Sequence, residues 1–366
     1  MTRLRHREVV ELAEKLTSAK LAKALNLSQA TISRVLNNSP LVSEKTRAKV
    51  LKAIEELGYA PDAVARALAT QRVDTLGFLV VNPKRFAQPI RNLLADPFTQ
   101  ILLATVEEKF RVNGWRLLVS VIEGGLQEII QLVRTHRIEG AVINVAHLDE
   151  ELIEEFRRTP GLREHPFVLT EMVVPDLEVP TVWADNADAA ARAVMHLTNL
   201  GHREIGFITG SEQLFSGPER LRGFKEAMKA KGLSPHLVFR GNYEESSGYE
   251  AFVEMFKQKK MPTALIAAND RMALGAMRAA RMLGMRVPDD IAIMGIDDIE
   301  LAAYVEPGLT TIHYPIRELG EKAAEMLLAQ CRREGVEKRV CISANRLVVR
   351  GSCGANRGVA QWLPRP

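Results

Sequence analysis

Very little in this sequence points to a secreted, membrane-embedded or metal-binding protein. It has three cysteines, Cys331, Cys341 and Cys353, and their spacing suits neither a disulfide framework nor a metal site. No apolar run reaches the ~20 residues that a membrane-spanning helix needs. The basic residues 1–7 have no apolar stretch behind them that would make a secretory signal. We therefore expect a cytoplasmic protein with free thiols, no metal, no cofactor and no membrane partner.

The motifs of the common enzyme classes are also missing. There is no phosphate-binding loop, no Gly-x-Ser-x-Gly elbow and no His-Glu-x-x-His helix. The eight histidines are scattered, and the acid pairs Asp289-Asp290 and Asp297-Asp298 are adjacent in sequence, so their side chains diverge. These absences predict that the chain is not an enzyme.

What the sequence does contain is a strong asymmetry of charge. Residues 1–72 hold 13 Lys and Arg against 7 Asp and Glu, whereas the other residues hold 36 against 38. A length of 366 residues is enough for two or three domains. A basic first segment on a nearly neutral body suits a polyanionic partner that binds at one end of the molecule.

Within the basic segment, two short helices are predicted side by side. Residues 19–25 have apolar side chains at helical spacing, and Asn26 can end this helix in a left-handed conformation. Ser28 is a good N-cap for a second helix at Gln29–Leu36. Two helices joined by such a short turn are typical of a helix-turn-helix, whose second helix fits the major groove of DNA. The alternative is an ordinary helical hairpin with a polar face.

The polar face of the second helix has the chemistry of base recognition. Its predicted outward residues are Gln29, Ala30, Ser33 and Arg34. Arg34 carries the donors that read guanine, and Gln29 can reach a base or a phosphate. The small side chains of Ala30 and Ser33 allow the helix to approach the groove closely.

Longer blocks of sequence make this interpretation more specific. They are Ala30-Thr-Ile-Ser-Arg-Val-Leu-Asn37, Gly58-Tyr-Ala-Pro61 and Ala65-Arg-Ala-Leu68. With these blocks the chain resembles the lactose-repressor (LacI/GalR) family of bacterial transcription regulators, from Thr17 to about Gly354. The resemblance is dense in the second half of the chain, for example in Pro262–Gly275.

The resemblance implies a DNA-binding headpiece at residues 1–60, with an extra segment at residues 1–16, and then a hinge helix at residues 61–72. In the family, two hinge helices of a dimer enter the minor groove of a palindromic operator, and the residue that matches Leu68 wedges between base pairs. A plain linker is the alternative, because so short a helix is marginal alone. The implied DNA contacts are Thr17, Ser28, Gln29, Ala30, Thr31, Ser33, Arg34, Asn37, Ala65 and Leu68.

From Asp74 onward, short buried strands alternate with helices. Strands are predicted at residues 75–81, 116–121, 140–144, 166–173, 204–209, 237–240, 264–268 and 291–296. A return at residues 310–315 indicates chain crossing between two lobes. The alternation predicts an α/β fold with parallel sheets. Together with the resemblance, it implies a small all-α headpiece and a two-lobed periplasmic-binding-protein-like core at residues 73–354, with a loose tail at residues 355–366.

Polar side chains lie where several of these strands end, which is the edge at which open parallel sheets bind ligands. A sugar needs planar hydrogen-bonding groups for its hydroxyls and an aromatic face for its ring. By resemblance and position, the predicted effector contacts are Phe98, Asn144, Glu171, Asp185, Ser216, Arg220, Tyr243, Asn269 and Asp297. For any one of them, a helix cap or a loop hydrogen bond is the alternative role.

We therefore expect a homodimeric repressor of carbohydrate genes, whose partners are double-stranded operator DNA and a small sugar-like effector that releases it. A purine-responsive, co-repressed regulator is one alternative. Leu214 stands where the purine-sensing relative has Arg, whereas Ser216 would suit a hydroxyl. A sugar receptor that feeds a transporter is another, which the headpiece argues against. The long segment at residues 82–100 holds Lys84, Arg85 and Arg91, either as a solvated insertion or as cations for an anionic effector.

Overall fold

The computed structural model describes residues 18–36, 41–57, 73–82, 96–135, 137–145, 149–159, 161–174, 177–343 and 345–355. The chain divides into two compact units, Met1–Val73 and Asp74–Pro366. The predicted hinge with Ala65 and Leu68, the extra segment at residues 1–16 and the predicted contacts Thr17 and Asn37 lie outside the described residues.

The first unit contains three helices, α1 (Ser18–Leu25), α2 (Gln29–Leu36) and α3 (Glu44–Leu57). They enclose a small core of Leu21, Ala22, Ile32, Val35, Val50 and Ala53. Leu51 on α3 is not part of this core, because 51% of Leu51 is exposed. The apolar face of α3 is instead centred on Val50 and Ala53, which point to a different side of the helix from Leu51.

Local hydrogen bonds set the ends of these helices. Asn26 has a φ of 54°, and the backbone N–H of Leu27 donates to the carbonyl of Ala22 at 2.9 Å, which ends α1 as predicted. The hydroxyl of Ser28 accepts from the N–H of Thr31 at 3.1 Å and caps α2. The Lys49 ammonium on α3 donates to the carbonyl of Leu25 at 2.9 Å, so the third helix also satisfies the end of the first.

The larger unit begins with a parallel sheet and its helices. Its elements are, in chain order, β1 (Thr75–Val81), α4 (Pro97–Val112), β2 (Arg116–Ile122), α5 (Leu126–Arg134), β3 (Ala141–Val145), α6 (Glu150–Arg158), α7 (Gly161–Glu164), β4 (Phe167–Thr170) and β5 (Thr181–Ala184). Alternate residues of β1 pack into two different cores. Phe78 and Val80 pack into one core, and Leu79 and Val81 pack into the other. This strand is apolar throughout because both of its faces are covered.

A second set of strands and helices follows. Its elements are α8 (Asn186–Asn199), β6 (Ile205–Ile208), α9 (Ser216–Ala230), β7 (Val238–Phe239), α10 (Glu245–Lys257), β8 (Ala264–Ala267), α11 (Asp270–Met282), β9 (Ala292–Asp297), α12 (Leu301–Tyr304) and β10 (Thr310–His313). The chain ends with α13 (Ile316–Cys331), β11 (Arg339–Ile342) and β12 (Arg346–Val348). In the described part of the chain, no helix is both long and apolar enough to cross a membrane.

The strands form two sheets, which define two lobes. The strand order is β11-β5-β4-β3-β1-β2 in lobe 1 and β12-β10-β9-β8-β6-β7 in lobe 2. All described pairs are parallel except β10 with β12. The chain therefore crosses between the lobes after β5, after β10 and after β11, and α13 returns to pack on α4 in lobe 1. The predicted crossing near residues 310–315 is confirmed, whereas β5, α13, β11 and β12 were not predicted.

Candidate functional site

Helix α2 presents a polar face, as its sequence predicted. Gln29, Ala30 and Arg34 are exposed, while Ile32 and Val35 on the opposite face are buried. The other two predicted contacts whose side chains are described serve the start of the helix. Ser28 and Thr31 lie with their hydroxyl oxygens 2.8 Å apart, and Ser28 is the N-cap. The side chain of Ser33 lies outside the described part of the unit.

In lobe 2, a buried arginine lies at the centre of the predicted effector site. Arg220 is in the second turn of α9, which begins at Ser216. Its Nε donates to Oδ1 of Asn186 at 2.9 Å, and its Nη1 donates to the carbonyl of Ala268. The guanidinium carbon lies 4.6 Å from the ring centroid of Tyr314. These contacts fix the position of the guanidinium, and only 3% of the surface of Arg220 is exposed.

The partner of this arginine is Asp297, at the end of β9. Nη1 of Arg220 lies 3.3 Å from Oδ1 of Asp297, and both side chains are buried. Burial raises the pKa of Asp297 because it disfavours the charged carboxylate, and Arg220 opposes that rise. Burial also disfavours the charge on Arg220, but the neighbouring Asp297 carboxylate raises the pKa of the guanidinium. At 3.3 Å in a buried place, the guanidinium and the carboxylate form an ion pair.

This pair keeps one donor and one acceptor for a further partner. The contacts of Arg220 with Asn186, Ala268 and Asp297 use its Nε and Nη1 and use Oδ1 of Asp297, so these three contacts leave Nη2 of Arg220 and Oδ2 of Asp297 unused. Neither atom is both sealed from solvent and unpaired. The pair can therefore donate through the two N–H groups of Nη2 and accept at Oδ2.

Glu171, which follows β4, joins two of the crossing segments. Its Oε1 accepts from the N–H of Ala184 at 2.8 Å. Its Oε2 accepts from Nδ2 of Asn186 at 3.2 Å and from the hydroxyl of Tyr314 at 2.8 Å. Burial raises the pKa of Glu171, and these donors oppose the rise. Since Asn186 starts α8 and Tyr314 follows β10, the carboxylate ties the first crossing to the second.

Tyr243 forms another side of the site and is held by two other predicted contacts, Ser216 and Asn269. Its hydroxyl lies 2.8 Å from the hydroxyl of Ser216, and its carbonyl accepts from Nδ2 of Asn269 at 3.0 Å. Asn269 also caps α11 by accepting from the N–H of Met272 at 2.9 Å. A Cβ on Gly210 would lie 2.1 Å from Cζ of Tyr243, so the ring rests directly on this glycine.

The three remaining predicted residues differ in their surroundings. Phe98 lies with its ring centroid 6.4 Å from that of Tyr314, at an angle of 50°. Asn144 is buried, and its Oδ1 accepts from the hydroxyl of Thr170 at 3.4 Å. Asp185 caps α8 by accepting from the N–H of Asp188 at 2.9 Å, and it lines a groove between α8 and α9. Asp185 thus has the cap role that the sequence left as an alternative.

Backbone strain coincides with this site. Glu171, Tyr243 and Asp297 have φ values of 52°, 74° and 134°. Positive φ is costly for residues with a side chain, and such residues persist where the surrounding contacts hold them. All three are predicted effector contacts, so the strain supports a functional interpretation of this region beyond simple packing.

Comparison with known proteins identifies the family. Residues 19–62 match bacterial regulatory proteins of the lacI family, and residues 194–353 match the periplasmic binding protein-like domain. The chain is 32% identical over 341 residues to the HTH-type transcriptional repressor PurR of Aliivibrio salmonicida (strain LFI1238), which covers 92% of this chain and 98% of that protein. This chain belongs to the lacI family of bacterial regulatory proteins. It is a DNA-binding transcriptional repressor of that family.

Other relatives agree with this assignment. The HTH-type transcriptional repressor CytR of Escherichia coli (strain K12) is 32% identical over 345 residues, or 93% of this chain and 96% of that one. The lac repressor dimer bound to operator and the anti-inducer ONPF has a TM-score of 0.82 at 28% identity, covering 93% and 99% of the two chains. The CelR–cellobiose complex has a TM-score of 0.67 at 30% identity, covering 92% and 99%. The relatives are regulators, and the lacI-family fold is shared with the lac repressor.

Several residues in this site or beside it were not singled out from the sequence. Tyr314 directly follows a strand at its carboxyl end, which was a usable signal, and Asn186 begins α8. Asp96 caps α4, and its Oδ1 lies 3.5 Å from Nη1 of Arg271 on α11. Asp96 and Arg271 are 175 positions apart, and no local motif joins them.

Proposed function

We propose that this repressor acts as a cytoplasmic homodimer on a palindromic operator and that a neutral, sugar-like effector in the cleft between its lobes releases it. The observation that carries the proposal is the buried pair of Arg220 and Asp297, with one donor and one acceptor left for a ligand. The dimer and operator are supported by the lac repressor relative, whose structure is a dimer bound to operator.

A sugar offers hydroxyl groups that can use both members of this pair. One hydroxyl can accept from Nη2 of Arg220, and a neighbouring hydroxyl can donate to Oδ2 of Asp297. Buried charged groups make strong, directional hydrogen bonds of this kind. The exposed part of the Phe98 ring, beside Tyr314, supplies an apolar surface for a ring face. A solved relative, CelR, is a complex with cellobiose, which supports a sugar here.

The charge balance argues against an anionic effector. Arg220 already uses Nε and Nη1 on protein acceptors, so it cannot offer a two-pronged contact to a carboxylate or a phosphate. Glu171 and Asp297 add negative charge within reach of the guanidinium. Lys84, Arg85 and Arg91 lie outside the described residues, so their predicted role stays a prediction.

A screen with two readouts tests the proposal. Thermal unfolding of the full-length protein is measured with neutral mono- and disaccharides, sugar phosphates and purines, and each stabilising compound is then tested for its effect on operator affinity. We expect a neutral sugar to raise the melting temperature and weaken operator binding. A purine or a phosphorylated compound as the stabilising ligand would overturn the effector class, and tighter operator binding would reverse the mechanism to co-repression.

Variants then assign the contact. Arg220→Lys and Asp297→Asn keep similar size but lose the fork and the charge, and we expect each to weaken sugar binding roughly tenfold or more. The matched control is Arg222→Ala on the same helix, because Arg222 is half exposed and pairs with Glu219 and Glu226. If both buried variants bind the sugar normally and only lose stability, the pair is structural and the proposed contact fails.

A further inference from the structure

One ion pair joins the two lobes at the edge of the cleft. Oδ1 of Asp96, which precedes α4 in lobe 1, lies 3.5 Å from Nη1 of Arg271, in the first turn of α11 in lobe 2. Among the described residues of the core, the other ion pairs stay within one lobe, as for Lys109 with Glu325 and Arg350 with Asp298. This pair can form only while the lobes are together. It can therefore affect closure of the cleft, which the pairs within one lobe cannot.

Both partners also have contacts within their own lobes. Asp96 divides its oxygens, with Oδ2 accepting from the N–H of Thr99 at 3.1 Å and Oδ1 facing Arg271. Arg271 is held from its own side by Glu244, which precedes α10 in lobe 2. Because each side chain is already ordered within its lobe, closing the contact costs little further rotamer entropy.

The pair lies near the effector site without being part of it. The side chains of Asp96 and Arg271 are 29% and 28% exposed, so the contact is only partly shielded and salt can still weaken it. Burial raises the pKa of Asp297, and the charge of Asp96 adds to that rise, which places the two acids within electrostatic range. Nothing in the contacts of Arg220 involves either member of the pair.

We propose that Asp96 and Arg271 form an interlobe clasp that holds the cleft closed without touching the effector. The clasp favours the closed arrangement even before the effector binds. It rests on the proposed function only in that the closed cleft is the arrangement that surrounds the effector. A ligand shifts an equilibrium only by its different affinity for the two states, so a clasp that favours closure raises affinity for whatever closes the lobes.

Hydrogen–deuterium exchange of the full-length protein, with no sugar present, tests the clasp across the cleft. Asp96→Asn removes the charge but keeps a good N-cap for α4. The readout is the exchange of α11, in the other lobe, which we expect to become roughly two- to fivefold faster. Arg271→Ala is read in α4, where the same increase is expected. Reading each variant in the opposite lobe separates opening from local damage.

The matched control is Arg278→Ala, on the same helix α11. Arg278 pairs with Glu245 at 3.1 Å and is half exposed, but this contact stays within lobe 2. We expect exchange in α4 to be unchanged by this variant. High salt should speed exchange of both helices in the unmodified protein and have little further effect in Asp96→Asn. Unchanged exchange across the cleft in both clasp variants would overturn the clasp, and it would leave the proposed sugar effector untouched.

Discussion

The hydroxyl of Tyr314 donates to Glu171 at 2.8 Å, and this bond links the segment after β10 to the segment after β4. The same ring lies 4.6 Å from the guanidinium carbon of Arg220. Tyr314 thus contacts the residue that we assign to the effector and the residue that ties the crossings together. Its two contacts can be separated, because one uses the hydroxyl and the other the ring.

Tyr314→Phe should remove the first contact and keep the second. It leaves Glu171 with one donor fewer in a buried place, so we expect the free energy of unfolding to fall by about 1–3 kcal/mol. Sugar affinity should change little, since the ring remains over Arg220. Urea unfolding and sugar titration measure the two effects. Equal loss of stability in Tyr314→Phe and Tyr314→Ala would show that the hydroxyl, and not the ring, provides all of the stabilisation.

Arg34→Ala tests base reading by the exposed face of α2. We expect a loss of about 1–3 kcal/mol on the specific operator and relaxed preference at one base position. The control is Lys52→Ala on α3, whose side chain is 75% exposed and lies 3.7 Å from Glu56. Binding is measured on operator and on random DNA of the same length. An equal loss on both DNAs in Arg34→Ala would reduce Arg34 to a phosphate contact.

Where local chemistry determines an element, the sequence predicted it well. Helix α2 has its predicted bounds, Gln29–Leu36, because Ser28 supplies a local N-cap signal. The strand β5 was missed, since four residues at Thr181–Ala184 carry too little periodicity to separate a strand from a loop. The helix α13 was also missed, although Leu319, Ala323 and Leu327 have the spacing of residues on one face of a helix.

The residues of the candidate site could be predicted from the sequence, but their contacts could not. Residues at the ends of predicted strands, such as Glu171 and Asp297, are brought into one connected network through Tyr314 and Arg220. The sequence could not show which atoms the protein itself occupies, because that depends on contacts between distant segments. The three donors on Glu171 come from residues 13, 15 and 143 positions away, so only the folded chain shows that this carboxylate is largely satisfied.

Gly210→Ala should displace the ring of Tyr243, which rests on Gly210. The added Cβ would lie 2.1 Å from Cζ of the ring, so the ring must move and its contact with Ser216 must break. We expect a loss of roughly 1–3 kcal/mol in the free energy of unfolding, together with weaker sugar binding. Gly232→Ala makes a useful comparison, because no heavy atom lies within 4 Å of its Cβ position, although its φ of 70° adds backbone strain. Equal sugar affinity in the two variants would contradict a role for Tyr243.

Asp270 gives the repressor a pH dependence whose sign can be stated. Its side chain is completely buried, with Oδ1 accepting from the hydroxyl of Thr311 and Oδ2 accepting from the N–H of Ile299. Burial raises its pKa to about 6, although these donors oppose the rise. In the unfolded chain an aspartate titrates near pH ~4, so between these values the folded protein holds a proton that the unfolded chain releases.

The stabilising contribution of protonated Asp270 is therefore fully present below pH ~4 and is lost as the pH rises through about 6. Asp270→Asn mimics the protonated acid and cannot lose the proton. Relative to this variant, the unmodified protein should lose up to roughly 3 kcal/mol in the free energy of unfolding between pH ~4 and pH ~7. Urea unfolding of both proteins across this range measures the difference, with Asp289→Asn, whose side chain is 48% exposed, as the control. A difference that stays constant with pH would mean that Asp270 is ionised throughout, held by its two donors against the cost of burial.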